Sequence, residues 1–356
     1  MKKICILSAV NIKHMSLISL YTEELKKLEI DFDIIYMDKY NEIEKINAKR
    51  IYRYINVINP KLPKFIRGLK YFKFINYAKK ILKQNKYDFI IVWNDVAIFL
   101  FASYLSKCWK NKYCLNIRDY CYQQNKLIYN RFKKVIENSA FTTISSPGYR
   151  NFLPEYDYVC LNSFNRKLLM ECTAKKNKAE IPLKIGFIGN VRFFEENYKL
   201  IDALKNDNRY ELHYHGTNSE IIEKYAKTNN IKNIVCSGAF PIKETKKYLE
   251  NCDIINNVFG VATIGVRTLV SIRLFYSAYM KIPILVSKGS YMEEIVKKYQ
   301  IGYSIDLSEK NLADKLFKWY KEINFEKLNI ESERLISDSE KENYKFIEIL
   351  KKFLLD

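Results

Sequence analysis

Short apolar runs alternate with helix-like segments along almost the whole chain, and this alternation limits the possible folds more than any other feature. In the first half the helix-like segments include 16–28, 96–107 and 125–138, and the apolar runs are KICILSA, FDIIYM, DFIIVW, YCLNIRD and AFTTISS. Nearly continuous apolar strands that alternate with helices are typical of parallel sheets covered on both faces. The sequence therefore predicts an α/β fold.

A second alternating set follows a polar stretch without apolar periodicity, 171–183. Its apolar runs are LKIGFIGNV, YELHYHG, IVCSGAF, CDIINNVF, IPILVS and GYSID. With 356 residues, the chain has room for two domains that each bury a core. We predict two Rossmann-like domains, 1–170 and 184–335, joined by the polar linker and facing a cleft. A final helix, 336–356, is able to pack back on the first domain.

Several classes of protein are excluded by what the chain lacks. Its apolar uncharged run around 96–106, like every other uncharged run of the chain, is far shorter than the roughly 18 to 20 residues of a membrane span. The N-terminal residues MKKICILSAV lead into Asn11 without a small-residue cleavage site, so they indicate a first strand and not a signal peptide. The eight cysteines form no C-x-x-C pair. We expect a cytoplasmic protein with neither a metal site nor a disulfide framework.

Positive charge is concentrated in one segment, 45–87, which the sequence pattern indicates to be helical. This segment contains thirteen Lys or Arg residues and no acid, within a chain of net charge +20. Aromatic residues lie between the cations, a combination that suits an anionic lipid surface. The alternative is a solvated helix with its rings in the core; nucleic acid is disfavoured because no recognition motif is present. The residues predicted to contact a membrane or acceptor are Lys64, Arg67, Lys70 and Lys73.

Ligands of open parallel sheets bind beyond the carboxyl ends of the strands, so the residues that follow each strand are the candidates for a site. In IGFIGNVRFFEEN, Gly189 ends a strand, and Asn190 and Arg192 precede a helix. Amides at a helix N-terminus together with an arginine favour a phosphate or diphosphate. The fingerprint G-x-G-x-x-G is absent here, which argues against a nicotinamide or flavin enzyme.

The next two strands also end in small residues. Gly216 and Gly238 leave space for a flat ligand, and Phe240 is placed to lie beside a nucleobase or, equally, in the core. His213 and His215 share one face of a strand, but without a third ligand this pair indicates packing more than metal binding.

In its order of segments the chain resembles the GT-B glycosyltransferases similar to family 4, especially enzymes of bacterial capsule and surface-polysaccharide biosynthesis. The resemblance rests on IGFIGNVR, HYHG, SGAF with ETKKYLENCDIINN, and RLFYSAYMKIPILVSKGSYMEEIV, and more weakly on CLNIRDY and TISSPGYRNFLP. It implies a nucleotide-diphosphate sugar held by the second domain, an acceptor held by the first, and no metal or other cofactor.

Several residues match positions of this family. The resemblance places Gly189, Asn190 and Arg192 in its phosphate loop, and Gly216, Gly238 and Phe240 after the next two strands. Arg273 matches the cation that opens the helix facing the donor. The family's ribose-binding glutamate is replaced by Tyr276, and a phenol binds a hydroxyl only as a neutral partner.

Two side chains of the first domain are predicted to act on the acceptor. His14 follows the first strand and is suited to general-base catalysis, or to contact with the transferred sugar if the enzyme retains configuration; the alternative is a surface histidine. Asp119 ends YCLNIRD, where its neighbour Arg118 is a possible ion-pair partner.

Together these features predict a cytoplasmic glycosyltransferase, peripheral to the inner face of the cell membrane. It would transfer a sugar from a nucleotide-diphosphate donor to a lipid-linked glycan in capsule, O-antigen or exopolysaccharide biosynthesis. Two alternatives stay open: a non-catalytic GT-B-like subunit that binds a glycan or partner, favoured by the missing acid at Tyr276, and a GT-B epimerase that acts on the nucleotide sugar itself.

Overall fold

A computed structural model describes residues 2–15, 17–57, 64–162, 164, 166–174 and 178–355, except for the side chains of 64–69 and of residue 167. The chain divides into two compact units, Met1–Asn162 with Lys341–Asp356, and Ser163–Glu340. This division follows contacts, whereas the limits drawn from the sequence follow composition.

Within its described residues, the first unit contains a seven-stranded sheet in the order β3-β2-β1-β4-β5-β6-β7, with all neighbours parallel. The strands are β1 (Ile4–Ser8), β2 (Phe32–Asp38), β3 (Arg50–Ile55), β4 (Phe89–Trp93), β5 (Tyr113–Ile117), β6 (Phe141–Ile144) and β7 (Val159–Cys160). The helices are α1 (Ser19–Lys27), α2 (Lys64–Asn85), α3 (Asp95–Cys108) and α4 (Lys126–Glu137).

In the second unit, the described residues form a six-stranded parallel sheet in the order β10-β9-β8-β11-β12-β13. Its strands are β8 (Leu183–Ile188), β9 (Tyr210–His215), β10 (Ile234–Cys236), β11 (Ile254–Asn257), β12 (Ile284–Ser287) and β13 (Gly302–Ile305). Its helices are α5 (Arg166–Met170), α6 (Phe194–Leu204), α7 (Ser219–Thr228), α8 (Thr245–Glu250), α9 (Ile264–Thr268), α10 (Ile272–Met280), α11 (Tyr291–Tyr299) and α12 (Leu312–Glu322). A last helix, α13 (Phe325–Leu355), begins in this unit and ends in the first.

The central strands of both sheets are buried on both faces, which confirms the predicted parallel α/β class. Apolar residues fill both faces because helices cover both. In the first unit, one core includes Phe346, Leu350 and Leu354 from the end of α13. In the second unit, separate cores lie on the two faces of the sheet.

One strand was not predicted. The segment 45–87 was interpreted as helical throughout, but β3 lies within it and pairs with β2 at the edge of the sheet. None of its residues, RIYRYI, is buried. Charged residues on an edge strand discourage pairing with another chain and also hide the apolar alternation by which strands are recognised. Arg53 is held there by an ion pair with the buried Asp38 at 2.7 Å.

Each sheet reverses its strand order once, between β1 and β4 in the first unit and between β8 and β11 in the second. Such a reversal leaves a crevice beyond the carboxyl ends of the two strands, where open parallel sheets bind ligands. The residues after β1, β4, β8 and β11 are therefore the candidates for a ligand site.

Candidate functional site

The loop after β8 lies at the reversal point of the second sheet. Gly189 takes a φ of +108°, a backbone conformation that side chains other than glycine rarely adopt. Its amide donates to the carbonyl of His215, at the end of β9, at 2.8 Å. The side chain of Asn190 accepts from Asn218 at 2.9 Å. The loop is thus fixed to its neighbour by both backbone and side-chain hydrogen bonds.

Two further glycines continue this row of strand ends. Gly216 has a φ of +135°, and a Cβ built on it would lie 1.9 Å from the carbonyl oxygen of Gly189. Its amide donates to the carbonyl of Gly238 at 2.8 Å. Gly238 has a φ of +70° and open space over its Cα, because nothing lies within 4 Å of a Cβ built there. The three loops therefore pack closely side by side and leave room above Gly238.

Arg273 lies buried beneath the loop after β8. It belongs to the first turn of α10, which Ser271 caps, and its side chain is only 6% exposed. Its Nε donates to the carbonyl of Ile188 at 2.9 Å, and its guanidinium carbon lies 3.7 Å from the ring centre of Phe187. A Cβ on Gly189 would be 3.5 Å from its Nη2.

This buried arginine has no carboxylate partner among the residues that the structure describes. Burial, opposed by Tyr276 and reinforced by the nearby Arg192, lowers the pKa of Arg273 to about 9. It stays a cation at neutral pH. A buried cation is costly unless an anion is available, so this position is suited to receive one from solution.

Tyr276 lies one turn further along α10, mostly buried. Burial raises the pKa of its phenol, which therefore stays neutral, while Arg273 acts to lower it. Within the described part of the chain its hydroxyl has no hydrogen-bond partner. The side chain that replaces the expected glutamate is thus close to the buried cation without neutralising it.

Arg192 is exposed at the start of α6, where its guanidinium carbon lies 5.4 Å from the ring centre of Phe193. The helix begins at Phe194 and carries Glu195 and Glu196 in its first turn. These two acids already complement the positive end of the helix dipole. The basic side chains, more than the helix amides, therefore supply the attraction for an anion here.

Beyond β10 lies an aromatic stack. Phe240, the predicted neighbour of a nucleobase, packs 4.4 Å from the ring of Tyr248, and that ring lies 4.2 Å from His215. Both predicted histidines of β9 are buried, and hydrogen bonds link them to Glu211 at one end and to Ser237 at the other. The alternation along β9 placed the two histidines on one face, but the sequence alone did not indicate Glu211 or Ser237 as their partners.

The two predicted acceptor-side residues lie at the carboxyl edge of the first sheet, separated there by β4. His14 ends a 3-10 turn after β1, is exposed, and has its Nε2 3.1 Å from the hydroxyl of Tyr40. Asp119 is exposed after β5, where its carboxylate accepts from the amide of Tyr120 at 2.8 Å. Their catalytic roles stay predictions.

Between them, Asp95 opens α3 directly after β4. One carboxylate oxygen accepts from the amides of Arg118 and Asp119, while the other has no hydrogen-bond partner in the structure. Burial raises the pKa of this carboxyl to about 7, although the amide hydrogen bonds act against the shift. Perturbed carboxyls at a strand edge are candidates for proton transfer, and this signal is invisible in the sequence.

The predicted membrane or acceptor surface is described only in part. The side chains of Lys64 and Arg67 lie outside the described residues. Lys70 donates to the carbonyl of Val57 at 2.8 Å, and Lys73 is exposed on α2. Of the rings between the cations, Phe74 is buried, whereas Phe72 is 65% exposed. The segment thus combines core contacts with an exposed basic face.

The described residues contain neither a membrane-spanning helix nor a metal-binding cluster. No helix among them is both long and apolar enough to span the membrane. Nor does any group of three or more His, Cys, Asp and Glu side chains in this part of the chain have the arrangement of a metal site.

Solved structures with the same arrangement cover nearly all of this chain. Sucrose-phosphate synthase from Thermosynechococcus elongatus is 12% identical, with 100% of both chains covered and a TM-score of 0.73. HepE of Anabaena, solved in complex with UDP and glucose, is 10% identical, with 99% of this chain and 100% of that chain covered and a TM-score of 0.67. The chain has the GT-B fold.

The same fold also occurs in UDP-GlcNAc 2-epimerase from Methanocaldococcus jannaschii, which is 12% identical over 94% of this chain and 98% of that chain, with a TM-score of 0.57. No family model and no curated protein matches the sequence. At these identities the likeness confirms the predicted GT-B class.

Proposed function

We propose that this protein is a GT-B glycosyltransferase that transfers a sugar from a nucleotide-diphosphate donor, without a metal, to a hydroxyl of a lipid-linked glycan. The second unit binds the donor and the first unit the acceptor. The transfer takes place at the inner face of the cell membrane, in the synthesis of capsule, O-antigen or exopolysaccharide.

The observation that carries this proposal is Arg273. Among the residues that the structure describes, it is a buried cation without a carboxylate partner, located under a glycine loop at the reversal point of a parallel sheet. A donor diphosphate supplies the missing negative charge, and the arginine then stabilises the charge that develops on the leaving group. A plain structural arginine would be expected to have an acid beside it.

The open region near this cation and the distance between the strand ends support a nucleotide as the ligand. The ends of β8 and β10 are two strand spacings apart, about 10 Å, a distance that a nucleoside diphosphate bridges between its phosphates and its base. The open region above Gly238 lies at the β10 end. A base there would have Phe240 and Tyr248 nearby, and its ribose would come within reach of a hydroxyl such as that of Tyr276.

In the first unit, the carboxyl edge of the sheet offers His14, Asp95 and Asp119 to an acceptor hydroxyl. A general base is most effective when its pKa lies near the working pH, and Asp95 meets this condition. Within the proposal, Asp95 joins the two residues predicted from the sequence as a candidate for proton transfer.

The proposal is tested by titrating UDP-, GDP- and CMP-sugars while thermal unfolding is followed. A nucleotide at 100 times its Kd should stabilise the protein by about 2.7 kcal/mol. Arg273→Met and Arg192→Ala should each abolish or greatly reduce this stabilisation. In the absence of nucleotide, Arg273→Met should be at least as stable as the natural protein, because it removes a buried charge that has no carboxylate partner among the described residues.

Arg334→Met, which removes an exposed arginine of α13, is the matched control and should leave the nucleotide effect unchanged. If no nucleotide stabilises the natural protein, and none stabilises either site variant, the chain does not bind a donor. A non-catalytic subunit would then be the better description.

An epimerase is the second candidate, supported by the likeness to UDP-GlcNAc 2-epimerase. The two activities differ in what they require: an epimerase converts the nucleotide sugar alone, whereas a transferase releases nucleoside diphosphate only slowly until an acceptor is added. Incubating the bound nucleotide sugar with and without a membrane lipid extract, and analysing both sugar and nucleotide, separates them.

A further inference from the structure

Four side chains on one face of β9 and β10 form a continuous hydrogen-bonded chain, which we call the histidine relay. His213 Nε2 lies 2.9 Å from Glu211 Oε2, His213 Nδ1 lies 3.2 Å from His215 Nε2, and His215 Nδ1 lies 2.9 Å from Ser237 Oγ. Both rings are only 4% exposed, whereas Ser237 is exposed at the carboxyl end of β10.

The chemistry of the relay fixes which atom carries each proton when both rings are neutral. An ionised Glu211 only accepts, so His213 carries its proton on Nε2 and accepts at Nδ1. His215 therefore carries its proton on Nε2 and accepts at Nδ1. The donor to that nitrogen is the hydroxyl of Ser237. Consequently, Ser237 presents only oxygen lone pairs to anything bound at the strand end.

We propose that Ser237 determines which nucleobase is bound, by accepting a hydrogen bond from a ring N–H of that base. Glu211, His213 and His215 act as positioning residues, because they hold the serine's own proton away from the ligand. This inference rests on the proposed function, in which the base occupies the open space above Gly238. A base with a ring N–H, such as uracil, is favoured over cytosine, whose corresponding nitrogen is an acceptor.

Adding one proton to the histidine pair reverses the two bonds that link His213 to His215 and His215 to Ser237, while His213 Nε2 still donates to Glu211. His213 then donates to His215, which donates through Nδ1 to Ser237, and the serine hydrogen is released toward the ligand. The preference should shift toward a ring acceptor. Burial lowers the pKa of His215 to about 4, and His213 and Lys247 act in the same direction.

Other groups surround the pair on this face of the sheet. On the β10 side, Val235 and the following Ser237 carry no charge. Among the described residues, the charged or titratable groups around the pair include Glu211 on β9, Lys184 opposite it on β8, Cys252 over Gly186 of β8, and Lys247 and Tyr248 on α8.

Affinities for UDP and CDP, measured by calorimetry at pH 7.5, test the serine. The natural protein should bind UDP more tightly than CDP. Ser237→Ala should bind UDP about fivefold more weakly, the usual effect of one lost hydrogen bond, and CDP within twofold of the natural value. Ser237→Thr, which keeps the hydroxyl, should restore the preference for UDP.

The relay is tested by following the UDP to CDP affinity ratio as the pH falls. The ratio should decrease as the pair gains its proton, and in Glu211→Gln the midpoint should move to lower pH, because the carboxylate favours the charged ring. Glu322→Gln, an exposed charge change on α12, should leave the midpoint in place. Changing a residue that only supports the fold would not move this midpoint. The measurement also does not depend on whether Ser237→Ala folds.

An unchanged UDP to CDP ratio in Ser237→Ala, or equal binding of the two nucleotides by the natural protein, would overturn the inference while leaving the proposed function intact. A natural protein that binds no nucleoside diphosphate would overturn both, and the binding measurement on that protein alone reveals it.

Discussion

At the scale of single residues, this protein keeps charged and titratable groups in places where they are expensive. Within the described part of the chain, Arg273 is a buried cation without an acid, Asp95 is a buried carboxyl with one unpartnered oxygen, and His215 is a buried ring in a hydrogen-bonded chain. Each lies at or next to the carboxyl end of a strand. Such costs are tolerated mainly where a ligand or a reaction makes use of them.

His215 has a measurable effect on stability. Its pKa is about 4 in the folded protein, below the ordinary value near 6.5, so as the pH falls the unfolded chain takes up the proton first. Its contribution is therefore complete above pH 6.5 and lost progressively down to pH 4, by about 3 kcal/mol. Chemical denaturation at a series of pH values should show this loss in the natural protein and not in His215→Gln.

The comparison of the two proteins removes the contributions of all other titrating groups, which they share. A difference in free energy of unfolding that stays constant between pH 7 and pH 4 would contradict the assignment of this low pKa to His215.

At the scale of elements, the site is built from turns that follow β8, β9 and β10, each of which contains a glycine with a positive φ. Gly216→Ala would place a methyl group against the carbonyl of Gly189, in a backbone conformation that disfavours side chains. We expect a loss of free energy of unfolding on the order of 3 kcal/mol, together with loss of nucleotide binding. Thermal unfolding and nucleotide titration measure the two effects.

Gly238→Ala is the matched comparison, because its Cβ would meet nothing within 4 Å. It should lose only about 1 kcal/mol, the ordinary cost of a left-handed conformation. Equal losses in the two variants would mean that the close approach of the loops after β8 and β9 does not matter.

At the scale of the whole molecule, the excess of positive charge is the feature that the fold alone does not explain. Exposed lysines on α2, such as Lys73 and Lys80, are suited to bind an anionic membrane. Binding to vesicles that contain phosphatidylserine should weaken with added salt. Lys73→Glu with Lys80→Glu should reduce it at least about 30-fold, since each cation near the surface contributes about 1 kcal/mol.

The same charge change in the second unit, Lys232→Glu with Lys310→Glu, provides the control and should have little effect. Vesicle binding that is absent, or insensitive to salt and to the α2 changes, would remove the membrane from the proposed function.

Most of the architecture could be predicted from the sequence because buried parallel strands carry their signal locally. Runs such as FIIVW and ILVS are apolar throughout, and the helices between them have their own periodicity. β3 was not predicted because an edge strand is partly exposed to solvent, and its sequence, RIYRYI, is not a continuous apolar run. The glycines at strand ends were also predictable, since a glycine directly after an apolar run can be recognised in the sequence itself.

The sequence by itself determined the fold class, the order of strands and helices along the chain, and the strand ends at which a ligand should bind. Only the tertiary structure decided the charge states and partners at those ends: that Arg273 is buried with no acid beside it among the described residues, that Asp95 is desolvated, and that Glu211, His213, His215 and Ser237 join in one chain. The reason is physical. Periodicity depends on neighbours in sequence, whereas desolvation and hydrogen bonding depend on neighbours in space that lie on different strands and helices.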